Sequence, residues 1–377
     1  MEPVAGLEKE DIGSGAAAAR AGGYACVCMM PNTQPAIDSA ETLLAVDARG
    51  RTEGGAAGVR IFAACAMTAG QRGKELCDFE ALDQAPTLCR ELTGHGVCGI
   101  SEDGQSLADE ALMARVCAEA KRLGLVILDH AQDPSATPMG WSMNAGAVAR
   151  RLGLTGISCE AEENFTARDI ALAQRTGARF HIQHISTAGS VALLRAAKRD
   201  GIPVTGETAP HYFALTEEAV EPLGADAKMN PPLRTERDRQ AVIEGLCDGT
   251  IDCIATDHAP HEAAAKERGF ADAAFGIAGL ETAFAVSYTV LADGGYMDLA
   301  ALLRLLGDRP AEIIGLPPGA RGEVLLDPDA EYTIEKKLFH SRGRNTPFEG
   351  MRVRGRVVAD GKGLALSQNI DAMSLFL

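Results

Sequence analysis

Short apolar runs alternate with longer amphipathic ones from about residue 10 to residue 300, and this rhythm limits the fold more than any other feature of the chain. "YACVCMMPN" precedes "SAETLLAVDARGR", "VRIFAACAMT" precedes "FEALDQAPTLCREL", and "GVCGISEDG" precedes "DEALMARVCAEAKRLG". "LVILDHAQ", "ARFHIQHIS", "IPVTGETAPHY" and "TIDCIATDHAPH" continue the series, with "GSVALLRAAKRDG" between two of them. The short runs are rich in Val, Ile, Cys and Ala and lack polar alternation, as strands buried on both faces do. The long runs carry apolar residues at helical spacing and often stop at glycine, as at Gly124, Gly177, Gly201 and Gly249. Repeated strand-helix units predict an α/β fold around a parallel sheet. Seven strands are legible, whereas a closed TIM-type (β/α)8 barrel takes eight.

Near residue 315 the pattern changes. "GLPPGARGEVLLDPDAEYTI" and "MRVRGRVVADGKG" read as short strands punctuated by Gly, Pro and Asp. The expected organisation is therefore a barrel over 1–314 and a small C-terminal β appendage over 315–377. Composition narrows the function. A net charge of −16 leaves no basic stripe for phosphates and argues against a nucleic-acid partner. No apolar run approaches the ~18 residues of a membrane span, and "MEPVAGLEKEDIG" lacks the order of a signal peptide. Ten cysteines without a C-x-x-C pair read as reduced thiols in a cytoplasmic protein.

In α/β barrels, catalytic groups gather at the carboxyl ends of the strands. Six of the eight histidines lie on or just after the last strand-like runs. His130 ends "LVILDH", Asp103 lies in "GISEDGQS", and Asp257 ends the run in "CIATDHAPH". His181 and His184 share "HIQHIS"; strand alternation predicts opposite faces for them, and His184 is nearer the strand end. Glu102 is expected to face away from its neighbour Asp103. Two imidazoles and two carboxylates on four strand tips suit a divalent ion such as Zn²⁺, with Mn²⁺ or Co²⁺ as substitutes. His258 is expected to support Asp257 from behind, and His211 either lines the pocket or is structural. His95 and His340 read as surface residues, and Arg234 as structural behind its stiff Pro-Pro turn.

Taken in order, "MMPNT", "ISEDG", "LDHAQ", "HIQHIST", "ETAPHYFALTEE", "MNPPLR", "ATDHAPH", "AFGIAGLET" and "RNTPFEG" resemble the motifs of dihydroorotase, class I, a cyclic amidohydrolase. The resemblance covers essentially the whole chain. It implies a metal-dependent hydrolase barrel with two zinc ions. Asp103 would bridge them, a place held by a carboxylated lysine in relatives such as hydantoinase, and no lysine lies between Lys74 and Lys121. His130 and His184 would complete one metal site, while Asp257 would bind the other metal and act as catalytic acid/base. Asn32, Asn230, His261, Phe275 and Gly276 would hold the substrate. The family's His-x-His-x-Arg segment has no counterpart, because Met1 takes the place of that arginine. A barrel without its first strand, one metal rather than two, and little turnover are therefore expected of this chain. The implied reaction is the reversible cyclisation of N-carbamoyl-L-aspartate to (S)-dihydroorotate in pyrimidine biosynthesis, through a metal-bridging hydroxide. A homo-oligomer is also implied. The alternatives are a non-catalytic subunit supporting aspartate carbamoyltransferase, and a hydantoinase- or allantoinase-type amidohydrolase.

Overall fold

A computed structural model describes residues 9–320, 322–358 and 373–376. Met1, with the rest of the opening segment to residue 8, and the stretch 359–372 of the expected appendage lie outside the described residues.

The strand-like runs form parallel strands. β1 (Cys26–Met29) pairs with β2 (Arg60–Ala63), and β3 (Cys65–Ala66) pairs with β4 (Ile100–Ser101). Only Ala64 separates β2 from β3; its N–H bonds Met29 O, and Cys65 N–H bonds Gly99 O. The wall continues through β5 (Val126–Asp129), past the small outlying pair β6 (Met143–Asn144) and β7 (Gly156–Ile157), to β8 (Arg179–Ile182), β9 (Val204–Thr208) and β10 (Cys253–Ile254). With β2 and β3 taken as one interrupted strand, seven strands line the wall, as the sequence predicts. Among the described residues, none pairs with the outer edge of β1 or β10.

Alternate residues of each strand enter different cores. Ile127, Phe180, Ile182 and Ile254 pack with Met113, Val116, Leu172 and Val242 of the surrounding helices. Val126 and Leu128 join Phe62, Ala64, Leu316 and Ala320 in a second cluster. Apolar burial on both faces explains the missing polar alternation. Truncating Ile127, which has no exposed surface, to alanine would cost about 2–5 kcal/mol.

The helix Glu110–Leu123 shows how a connecting run is fixed. Its buried Met113, Val116, Cys117 and Ala120 repeat at i, i+3, i+4 and i+7. The Asp109 side chain accepts from Ala111 N and Leu112 N, and Gly124 closes the end at φ 75°. Among the described residues no helix is long and apolar enough to cross a membrane.

Two features depart from expectation. "EVLLDPDAEYT" is one strand, β11 (Glu323–Thr333), rather than several short ones. It runs between β12 (Arg352–Val358) and β13 (Met373–Phe376), and its register shifts between Asp327 and Glu331. Pro328 falls in that shift, so the bulge absorbs the residue that would have broken a regular ladder. The sulfurs of Cys28 and Cys98 lie against one another while the other eight cysteines are free, a contact that the sequence reading did not expect. Letters far apart in sequence gave no sign of the contact: the two residues flank β2, where Cys28 pairs with Phe62 and Cys98 N–H bonds Ala63 O.

Candidate metal centre at the barrel mouth

Three strand ends deliver Asp103, His130 and His184 to one place, with one ligand atom from each lying within 4.8 Å of the others. His130 follows β5 in the alternation of Val126 and Leu128 and so faces inward. Its Nδ1 stands 2.8 Å from His184 Nε2, with the rings edge to face at 74°. His130 Nε2 lies 3.1 Å from Gln132 Oε1 and 3.2 Å from Asn230 Nδ2.

Strand parity does not account for His184. β8 ends at Ile182, and His184 takes φ 38°. That left-handed backbone costs about 1 kcal/mol and turns the ring back towards His130. His181 also points inward, to Glu207 at 3.1 Å. The expected opposite faces of the two histidines are thus corrected: the strand stops before the second one, so alternation no longer governs it. Asp257, beyond β10, takes φ 47° for a similar turn. Two of the four predicted ligands therefore occupy a backbone region unusual for residues other than glycine.

Asp103 is held by its surroundings. Its N–H donates to Ser101 Oγ at 3.1 Å, and its carbonyl accepts from Gln71 Nε2 at 3.2 Å. Asn32 Nδ2 donates to its carboxylate at 2.7 Å. Glu102 turns the other way, as expected, accepting from Met67 N, Thr68 N and the Thr68 hydroxyl.

Burial raises the Asp103 pKa, with partial relief from His130. Asp257 is pushed up to about 8 by burial and by the carboxylates of Asp103 and Glu207. Burial, with His130 and His211 beside it, drives His184 well below the usual imidazole range. Imidazoles and carboxylates crowded into one buried place suit a cation: the rings can offer lone pairs and the acids negative charge. His184 Nδ1 is buried without a partner, as an atom awaiting a ligand would be. The donor set fits a divalent metal.

The remaining predicted residues surround this cluster. His261 donates its backbone N–H to Asn345 Oδ1 at 2.9 Å, and its Nε2 lies 2.7 Å from Phe275 O. Its Nδ1 and Asn230 Oδ1 are buried and unpartnered. Gly276 N–H donates to Lys228 O at 3.0 Å, so that group is already engaged within the protein. Phe275 stacks on Trp141 with centroids 4.5 Å apart.

Arg234 is buried and bonds Ser186, Asn144 and Ile157 O, a structural role. His258 accepts from Gly279 N and Leu280 N and faces Glu10, behind Asp257. His95 pairs with Asp83, and His340 with Glu281, both away from the cluster.

Two neighbours, Lys266 and Glu207, escaped the sequence reading, and a third, His211, was read as either lining the pocket or structural. His211 is fully buried with neither ring nitrogen bonded, and its Nε2 lies 3.7 Å from Asp257 Oδ2. Lys266 Nζ donates to the carbonyls of Lys228, Ala274 and Gly276, which fixes the Phe275–Gly276 turn. Glu207 carried a usable signal: polar Thr205 and Glu207 recur every second residue within an otherwise strand-like run.

Comparison with known proteins adds to this geometry. The family described as dihydro-orotase-like matches residues 2–190. A dihydroorotase of Caldanaerobacter subterraneus subsp. tengcongensis is 42% identical over 355 residues, covering 93% of this chain and 79% of that protein. One of Anaeromyxobacter sp. is 44% identical over 356 residues, covering 92% and 79%. Among solved structures, L-hydantoinase from Arthrobacter aurescens superposes with a TM-score of 0.78 at 22% identity, covering 93% of this chain and 79% of that one. Dihydroorotase from Saccharomyces cerevisiae in complex with 5-fluoroorotic acid gives 0.71 at 14% identity, covering 91% and 92%. These structural likenesses establish the TIM-type barrel.

Proposed function

The chain belongs to the dihydroorotase-like family of cyclic amidohydrolases, and from that premise we propose that it interconverts N-carbamoyl-L-aspartate and (S)-dihydroorotate. One observation supports this reading above the rest: Asp103, His130 and His184 meet within 4.8 Å beside Asp257, an acid whose pKa is about 8.

Asp103, His130 and His184 would hold a divalent ion, zinc by its match to imidazole and carboxylate donors, and Asp257 would reach the place of the family's second ion. Such ions, when bound, polarise an amide carbonyl and acidify water. Asp257 moves the proton. In hydrolysis it takes one from the attacking water and gives it to the departing ring nitrogen; in cyclisation it does the reverse. Asn32 steadies the Asp103 carboxylate while facing the pocket. Asn230 and His261 offer unpartnered polar atoms to the substrate carboxylate and ring groups, and the Phe275–Gly276 turn closes the far side. The reading carries with it a cytoplasmic location and a homo-oligomer.

The test is turnover of dihydroorotate by the full chain supplied with Zn²⁺, Mn²⁺ or Co²⁺, set against hydantoin and allantoin. Hydrolysis confined to dihydroorotate, slow in this chain and lost in Asp103→Ala, is the expected result. Faster turnover of hydantoin would overturn the substrate assignment. A metal-loaded, folded protein inert to all three rings would overturn the enzyme reading in favour of a non-catalytic subunit.

A further inference from the structure

Deeper in the barrel, three adjacent strands bring together a second set of donors that shares no residue with the mouth cluster. His181 on β8, Glu207 on β9 and Cys253 on β10 place one ligand atom each within 4.8 Å of one another. Cys253 and Glu207 are register partners, and His181 lies opposite Thr205 two residues back. His181 and Cys253 are buried, and the Glu207 side chain is 16% exposed.

The hydrogen bonding of His181 carries the argument. Its Nδ1 lies 2.8 Å from Thr205 Oγ1, and that hydroxyl is directed at Phe180 O. When that hydroxyl accepts from Nδ1–H, Nε2 is left to present a lone pair. That lone pair faces the Glu207 carboxylate at 3.1 Å. Two acceptors at this distance repel unless a cation lies between them. A proton would satisfy His181 and Glu207 but would leave Cys253 without a part. The Cys253 sulfur lies within the same 4.8 Å and completes a nitrogen, oxygen and sulfur donor set that one divalent ion can bridge.

We propose that His181, Glu207 and Cys253 form a separate metal site that takes a zinc-type divalent cation. A nitrogen, an oxygen and a sulfur donor suit such an ion, leaving a fourth position to water. Thr205 supplies the hydrogen bond that orients a ligating imidazole. The 3.1 Å between Nε2 and Oε2 is near the roughly 3.3 Å edge of a tetrahedron with bonds of about 2.0 Å.

Cobalt distinguishes this site from the mouth, because only this one contains sulfur. The full chain is stripped with a chelator and titrated with Co²⁺ while the near-ultraviolet charge-transfer absorption of a cobalt-thiolate bond is followed. The band is expected in the unaltered protein and in His184→Asn, and is expected to vanish in Cys253→Ser. Should Cys253→Ser not fold, Thr205→Val keeps all three ligands and is expected to weaken the band-forming affinity by about 10–100-fold. Bound cobalt without the band overturns the site. So does a band that survives Cys253→Ser, or one whose affinity is unchanged in Thr205→Val. None of these readouts uses dihydroorotate, so the inference stands or falls apart from the proposed activity.

Discussion

Asp252 and Asp257 lie five residues apart, one just before β10 and the other just beyond it, and their surroundings differ sharply. Asp252 receives Lys198 Nζ at 2.7 Å, Arg309 Nη2 at 2.8 Å and the Gly206 N–H at 2.9 Å. Asp257 has no lysine or arginine partner among the described residues; it faces other carboxylates and a neutral His211. The helix-facing aspartate is compensated on every side. The mouth aspartate is not, and its backbone is turned to φ 47° besides. A buried charge that the fold fully satisfies serves structure, whereas one left wanting marks where a ligand belongs.

The sharpest test of this contrast exchanges each acid for its amide. Asp257→Asn is expected to lower kcat for dihydroorotate by about 10²–10⁴-fold while leaving urea stability unchanged near neutral pH and raising it above about pH 8, where a crowded charge is removed. Asp252→Asn should do the opposite, losing about 2 kcal/mol of stability through its charge-assisted hydrogen bonds with kcat intact. If Asp257→Asn unfolds the protein as readily as Asp252→Asn, the distinction fails.

The pH dependence sharpens it further. Asp257 has a folded pKa of about 8 against an ordinary 3.8. The folded state therefore binds its proton more tightly than the unfolded chain does. The associated stability is complete below about pH 4 and is lost as pH rises through about 8, at no more than about 1.4 kcal/mol per pH unit. Denaturation of chelator-treated protein across that window should show the decline, and added Zn²⁺ or Asp257→Asn should abolish it. The smallest effect belongs to a site remote from the mouth. Asp109→Ala removes the cap of the 110–123 helix and should cost about 1 kcal/mol in thermal or urea melts, with kcat and KM unmoved.

Much of the scaffold was legible. Burial on both faces made the strand runs uniformly apolar, and helix caps such as Asp109 and Gly124 lie within a turn of the residues they serve. His130 was legible for the same reason, since it continues the inward alternation of β5. Elsewhere the local code failed. Parity assigned His181 and His184 to opposite faces, and only the turn after Ile182 brought both inward. The partner of Asn32, the Asp103 carboxylate 71 positions along the chain, also lay beyond local reading. Pro328 suggested a break where β11 accommodates it in a bulge.

What the letters determined by themselves was the barrel, the strand ends that carry the candidate ligands, and the chemistry those residue types favour, because periodicity and side-chain type are properties of neighbouring residues. What only the tertiary structure decided was which atoms remain unsatisfied once everything is packed. His184 Nδ1, His211 and the triad of His181, Glu207 and Cys253 gain their meaning from groups on other strands. Desolvation and Coulomb interaction depend on distance in space, and separation along the chain does not report it.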